Sequence, residues 1–197
     1  MNGKPLPVNH GYPVRIIVPG VSGCRSVKWL DRITVQSEES TNLYQRYDYK
    51  ILPPEATDKD AASKYWDITP ALQEMPVNSV IAVPQNGETV KLSSSGTTEV
   101  KGYALPQGSQ GPVVRVQVST DDGKTWKEAE ILMEREGHSK WAWALWRATI
   151  KLGKGQNKRI LSRATDSGGN TQPDKPDWNL RGVAYNGPGE ARDLIVT

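Results

Sequence analysis

Cysteine is nearly missing from this sequence. Cys24 stands alone, so no disulfide closes within the chain and no thiolate cluster can hold a metal. Histidine is almost as scarce. His10 and His138 are too few for a histidine-rich metal site in one chain. Phenylalanine is absent, and the aromatic load falls on seven Trp and seven Tyr. No uninterrupted apolar run approaches the roughly 18 residues of a spanning helix, so no membrane segment is expected. The start, Met1-Asn2-Gly3-Lys4-Pro5, lacks the apolar core of a signal peptide and is no Ser/Arg-rich transit segment. The Trp residues are scattered along the chain and make no stacking platform for nucleic acid.

What is present is an ordinary globular composition. Of 197 residues, 36% are hydrophobic and 24% charged, too apolar for a disordered chain. Eighteen Gly and fourteen Pro favour a turn-rich, mostly β protein. The net charge of +3 hides an asymmetry. Residues 1–35 hold Lys4, Arg15, Arg25, Lys28 and Arg32 against Asp31 alone, a net of +4, which leaves −1 for the rest. A basic segment beside a near-neutral body points to a local anion site or a solvated basic face, rather than to a nucleic-acid surface.

Three segments follow from the punctuation. In the first, residues 1–36, the apolar run Val14-Arg15-Ile16-Ile17-Val18 stops at Pro19-Gly20 and reads as a short buried strand. Residues 27–30 and 32–35 read as a second β stretch, with Ile33 and Val35 sharing one face. The second segment, 37–76, is polar and irregular. It carries Tyr44, Tyr47 and Tyr49 among charges, and a short helical turn from Asp58 to Lys64 with Thr57 as its N-cap. Long irregular stretches of this kind are functional or connecting loops. The third, 77–197, has the strand-and-turn spacing of an all-β domain. Strands are expected at 77–83, 100–105, 114–118, 141–145, 160–164 and 191–196, with a hairpin through Asp121-Asp122-Gly123 into Thr125-Trp126. Trp141-Ala142-Trp143-Ala144-Leu145 alternates large and small, as a strand packing one face on a second sheet would. The expected class is mainly β, an immunoglobulin-like antiparallel sandwich behind a β-rich leading segment.

Four places carry possible chemistry. His10 and Arg15 flank a Gly/Pro turn, and Lys28 follows a loop bearing Gly20 and Gly23. Such a loop with Arg and Lys around it can cradle a phosphate. Tyr49, in Arg46-Tyr47-Asp48-Tyr49-Lys50, is either an anion-site donor and proton relay or a packing residue with a wet hydroxyl. Arg181, between Trp178 and Gly182, either points into a cleft or covers Trp178. Cys24 beside Arg25 is a weak candidate for a reactive thiol.

Taken together these runs resemble one family. They are Asn2-Gly3-x-x-Leu6-Pro7-x-x-His10-Gly11-x-Pro13-Val14-Arg15, Pro19-Gly20-x-x-Gly23-x-Arg25-x-Val27-Lys28-Trp29-Leu30, Val100-Lys101-Gly102-Tyr103-Ala104, Asp122-Gly123-Lys124-Thr125-Trp126 and Trp178-Asn179-Leu180-Arg181-Gly182. Their order and spacing resemble the C-terminal portion of the sulfite oxidase family of molybdenum-cofactor enzymes. The resemblance implies that 1–36 closes a molybdopterin-binding domain, that 37–76 connects, and that 77–197 is an immunoglobulin-like dimerisation domain pairing two copies. It implies further that His10, Arg15, Ser26, Val27 and Lys28 hold a molybdenum-molybdopterin cofactor, and that Tyr49 and Arg181 bind the oxyanion substrate. Tyr at 49 and Arg at 181 favour the sulfite branch over nitrate reductase.

Some features depart from the pattern. The family's molybdenum-ligating Cys is expected upstream of Met1, and Cys24 does not take its place. Asn186-Gly187-Pro188-Gly189-Glu190 differs from the Trp-bearing run of animal sulfite oxidases. The expected function is therefore the C-terminal part of a sulfite oxidase, inactive alone. The alternatives are a stand-alone, non-catalytic dimerisation module and a nitrate reductase homologue. No nucleic-acid or membrane partner is expected, and the compartment stays open between cytoplasm and mitochondrial intermembrane space.

Overall fold

Between residues 144 and 151 buried and exposed side chains alternate without a break, the period-2 signature of a strand with one wet face. That strand anchors the larger of two units in the computed structural model, which describes residues 3–132 and 139–197. One unit takes in residues up to Met75 with Asp177–Ala184, and the other comprises Pro76–Pro176 and Tyr185–Thr197. His138 lies outside the described residues. Among those described, no helix is long and apolar enough to cross a membrane.

Among the described residues the larger unit holds nine strands: β1 (Asn78–Val83), β2 (Thr89–Val90), β3 (Thr97–Leu105), β4 (Val113–Ser119), β5 (Lys127–Glu128), β6 (Glu130–Leu132), β7 (Ala144–Lys151), β8 (Gly155–Asp166) and β9 (Gly189–Val196). They form two sheets, ordered β1-β3-β7-β6 and β2-β9-β8-β4-β5. This is the expected immunoglobulin-like sandwich. Its pairs are antiparallel except β2 with β9, where Thr89 and Val90 run parallel to Ile195 and Val196.

The inner faces supply the core. Val100, Ala104, Trp146, Ala148 and Ile150 come from one sheet, and Val116, Ile160, Ala164, Leu194 and Val196 from the other. Trp146 is 1% exposed. It fits because Gly102 lies opposite it on β3. A Cβ there would sit 2.4 Å from the Trp146 ring and 2.0 Å from the Val80 carbonyl oxygen. Ser79 of β1 and Ser162 of β8 are buried and joined hydroxyl to hydroxyl at 2.8 Å, so this polar pair inside the core is satisfied.

One expectation shifts here and one holds. The strand expected at 141–145 starts at Ala144, and the exposed side chains are Trp141, Trp143 and Leu145. The phase of burial is set by Ala144, Trp146, Ala148 and Ile150, one residue out of step with the large-small pattern. The expected hairpin is present, with Gln117 opposite Glu128 and Val118 opposite Lys127.

The smaller unit has little regular structure. Its elements are 3-10 turns at Val8–His10, Gly23–Arg25 and Leu180–Gly182, a π-helical turn at Tyr44–Asp48, and the short helix α1 (Lys59–Ala62). Leu52, Ala56 and Ala62 form its buried centre, with Tyr65, Trp66 and Leu180 against them. The runs expected as strands at 14–18 and 27–35 are extended but form no sheet among the described residues. Ile16 N–H donates to Val27 O and Leu30 N–H to Val14 O, both at 2.9 Å, and Val21–Glu74 is an isolated bridge. Ile33 and Val35 are 70% and 94% exposed. A strand is held by a ladder of partners, and two bonds do not make one. The helical turn begins one residue later than expected. Asp58, not Thr57, is the N-cap, its Oδ1 accepting the Asp60 and Ala61 N–H groups at 2.9 Å. A carboxylate at the cap satisfies two of the helix's orphan donors.

Candidate functional site

The basic leading segment folds onto itself. Gly11, at φ 108°, closes the turn after His10, and a Cβ there would lie 3.0 Å from the Lys28 Cβ and 3.1 Å from the Arg15 Cβ. Only glycine lets residues 11–15 and 26–29 approach this closely. The approach brings the expected cofactor-side residues together. Arg15 Nη1 donates to His10 O and Nη2 to Ser26 O, each at 3.1 Å. Ser26 Oγ accepts the Val18 N–H at 3.2 Å. Lys28 Nζ donates to Asn9 O at 3.0 Å and lies 4.7 Å from the Trp29 ring centroid. His10 itself is exposed.

Arg15 Nε is buried with no acceptor among the described residues, and Arg25 Nε likewise. A buried, unpaired guanidinium donor costs free energy until an acceptor arrives. Residues 1–30 contain no acidic side chain. This donor set, with two Arg, a Lys and no carboxylate, fits a phosphate-bearing group such as molybdopterin.

Next to this cluster lies a cavity of about 800 Å³ lined by Cys24, Arg25, Val27, Arg32, Tyr44 and Tyr49, among others. Arg25 is fixed inside it. Its Nη1 donates to the Gln45 Oε1 and its Nη2 to Leu72 O at 3.0 Å. Gln45 in turn donates to Glu39 at 2.5 Å. Cys24 Sγ pairs with Ser22 Oγ at 3.3 Å. Tyr49 follows the π-helical turn, where its N–H donates to Tyr44 O and its carbonyl accepts the Leu72 N–H. Within the same π-helical turn, Arg46 holds Asp67 at 3.0 Å, and that hydrogen bond raises the Arg46 pKa above its usual value.

Arg181 arrives from the far end of the sequence. Its Nη1 meets Asp48 Oδ1 at 3.1 Å, and its Nη2 donates to Asp48 O at 2.6 Å and Tyr47 O at 3.3 Å. Asn179 steadies the loop by accepting the Val183 N–H at 2.8 Å and donating to Val183 O at 3.1 Å. Arg181 adopts φ 76°, ψ −1°, a left-handed conformation unfavourable to an L side chain. Tyr49 and Arg181 line one cavity of about 410 Å³ with Asp48 and Val183. A guanidinium and a tyrosine lining one cavity are groups that can orient a small oxyanion.

Sequence reasoning had not singled out Arg25, Gln45 or Asp48 for these places. Arg25 carried a signal, since it lies in the acid-free segment. Asp48 carried none, because its partner is 133 residues away.

Family models match in the same order. The oxidoreductase molybdopterin binding domain matches residues 1–44, and the Mo-co oxidoreductase dimerisation domain matches residues 69–187. Mitochondrial sulfite oxidase of Homo sapiens is 47% identical over 190 residues, covering 94% of this chain and 34% of that protein. Sulfite oxidase of Arabidopsis thaliana is 39% identical over 193 residues, covering 93% and 47%. Nitrate reductase [NADH] 1 of the same plant is 37% identical over 194 residues, covering 94% and 21%. The sulfane dehydrogenase SoxCD of Paracoccus pantotrophus superposes with a TM-score of 0.72 at 25% identity, covering 98% of this chain and 49% of that one. The chain thus spans between a fifth and a half of the length of these relatives. It belongs to the sulfite oxidase family of molybdenum-cofactor oxidoreductases and carries that family's dimerisation domain.

Proposed function

We propose that this chain supplies part of the oxyanion pocket, part of the cofactor-side contacts and the pairing surface of an enzyme that oxidises sulfite to sulfate. One observation carries the reading. Tyr49 and Arg181, far apart in sequence, line a single cavity, while Arg15 and Arg25 each keep a buried donor without an acceptor. When bound, molybdenum-molybdopterin would supply the oxygen-atom transfer and the redox change. The chain's own residues bind and orient. Arg15, Lys28 and the Ser26-Val27 main chain would hold the phosphate-bearing pterin, with His10 beside them. Arg181 and the Tyr49 hydroxyl would donate to the sulfite oxygens, and Asp48 would hold the guanidinium in place.

The test is steady-state kinetics on the intact enzyme that contains this chain. A charge-assisted hydrogen bond contributes about 1.5–3 kcal/mol, roughly 10- to 150-fold in affinity. Arg181→Met should raise the sulfite KM by that factor, and an unchanged KM would overturn the assignment.

A second reading is a pairing module without catalysis. Its support is that the Mo-co oxidoreductase dimerisation domain matches residues 69–187, a larger share of the chain than the molybdopterin binding domain match over 1–44. Molybdenum and pterin measured in the purified 197-residue chain decide between the two. Stoichiometric cofactor with sulfite turnover would sink the module reading.

A further inference from the structure

The loop that carries Arg181 leaves the sandwich after β8 and returns to it before β9. Its outgoing root is tied to β8. Thr171 bridges to Thr165, hydroxyl to hydroxyl at 2.9 Å, and the Gln172 N–H donates to Ala164 O at 3.2 Å. The return limb is tied to β1, where Asn78 Nδ2 donates to Tyr185 O at 3.0 Å. The two limbs close on each other at Gly187. A Cβ there would run into the Tyr185 hydroxyl and lie 2.9 Å from the Pro176 Cγ.

One side chain spans this neck. Gln172 is 1% exposed, and its amide works at both ends. Oε1 accepts the Ala164 N–H of β8 at 2.9 Å. Nε2 donates to Gly187 O at 2.6 Å, with Asn186 O and Asn78 Oδ1 each at 3.3 Å. A buried polar group is costly unless it is paired. An amide is the group that accepts on one side while donating on the other, so glutamate or leucine here would leave the return limb without its donor. Between the limbs, Arg181 (φ 76°), Gly182 (φ 62°) and Ala184 (φ 51°) lie in the left-handed region. Two of the three bear a Cβ, so the loop departs from the shape its own backbone prefers. Compact loops of this length keep their form when their ends are held together.

We propose that Gln172 is a positioning residue for Arg181, which it sets in place by closing the neck of the 173–186 loop. The inference rests on the oxyanion role proposed for Arg181 and adds the residue that fixes it from a distance. The cavity of Tyr49 and Arg181 is completed by Asp48 and Val183, so Gln172 acts through the loop and not on the substrate.

Steady-state kinetics on the intact enzyme test this with Gln172→Leu, Asn78→Ala and Thr171→Val, each alone and combined with Arg181→Met. Gln172→Leu should raise the sulfite KM about 10-fold while kcat changes by less than about 3-fold. Asn78 is only partly buried, so Asn78→Ala keeps the test if Gln172→Leu fails to fold; it should raise KM about 3-fold. Thr171→Val removes an exposed hydroxyl from the outgoing root alone and should leave KM unchanged. With Arg181→Met present, neither neck variant should raise KM further, because the group it positions is gone. A merely structural role would add its effect in both backgrounds. An unchanged KM in the neck variants, an equal rise with and without Arg181, or as large a rise in Thr171→Val overturns the role of Gln172 and leaves that of Arg181 intact. If Arg181→Met itself leaves KM unchanged, both fall.

Discussion

Arg181 sits at φ 76° and is held there by Asp48 and two carbonyls. A backbone strained in this way persists where the surroundings over-determine it, and such positions concentrate at functional sites. The geometry separates the role of the backbone from that of the guanidinium. Arg181→Gly removes the conformational penalty and the charge together. It should leave the thermal midpoint unchanged or slightly raised, yet lose oxyanion affinity as Arg181→Met does. Asp48→Asn keeps the backbone but loosens the anchor. The Arg181–Asp48 pair is partly exposed, so scanning calorimetry should show a loss of no more than about 1 kcal/mol. A second residue makes a pH statement. Asp121 sits at about 2, below its usual 3.8. The Thr125 hydroxyl, at 2.6 Å, is the main cause, followed by the Thr125 N–H and the Ser119 hydroxyl. Folding therefore favours the ionised form. Its stabilisation is complete above the usual carboxylate range and is lost as pH falls from about 4 towards 2. Acid titration of the midpoint should show part of that loss vanishing in Asp121→Asn, and identical profiles would refute it.

At the scale of elements, β3 and β7 carry the sandwich. Gly102→Ala would force a Cβ into the Val80 carbonyl and the Trp146 ring, so strand or indole must move. Overpacking costs about 1–3 kcal/mol, and contact with main chain places this change at the upper end. Trp146→Ala makes the opposite error, a cavity costing about 3–5 kcal/mol. The double variant should lose less than the sum of the two, because removing the indole removes one of the clashes. Chemical denaturation of the four proteins measures this directly, and strict additivity would count against it. The same strands show where periodicity is legible. Val114, Val116 and Val118 alternating with Arg115 and Gln117 gave β4 and its hairpin, because turn and alternation agreed. The run 141–145 misled because large residues alternate there on a face open to water. In residues 14–18 and 27–35 the apolar pattern is real. A strand depends on its partner, and these runs pair only twice.

For the whole molecule, charge is the property that spans every level. The +4 of residues 1–35 gathers around Arg15, Arg25 and Lys28, whereas the described arginines of the sandwich are paired with carboxylates, as in Arg115–Glu128, Arg147–Glu130 and Arg159–Glu190. Free sulfate should therefore stabilise the chain through its leading segment. At ten times its Kd it adds about 1.4 kcal/mol, a rise of about 3–5 °C for a chain of this size. Differential scanning fluorimetry should show the rise, with Arg25→Gln abolishing most of it and Arg115→Gln leaving it in place. An equal rise in all three proteins would mean general salting rather than a site.

Much of this protein was readable before folding was considered. Turn residues at regular spacing and period-2 runs led to the sandwich, since those signals act over a few neighbouring residues. The pile-up of cations before residue 36 marked a basic segment, an anion site or a solvated face, for the same local reason. The meeting of Arg181 with Tyr49, the pairing with Asp48, the burial of Trp146 against Gly102 and the exposure of Trp143 belong to the tertiary structure. Each depends on residues brought together across tens to more than a hundred positions. Which face of a strand is buried, and which guanidinium is left with a free donor, is decided by what packs against it.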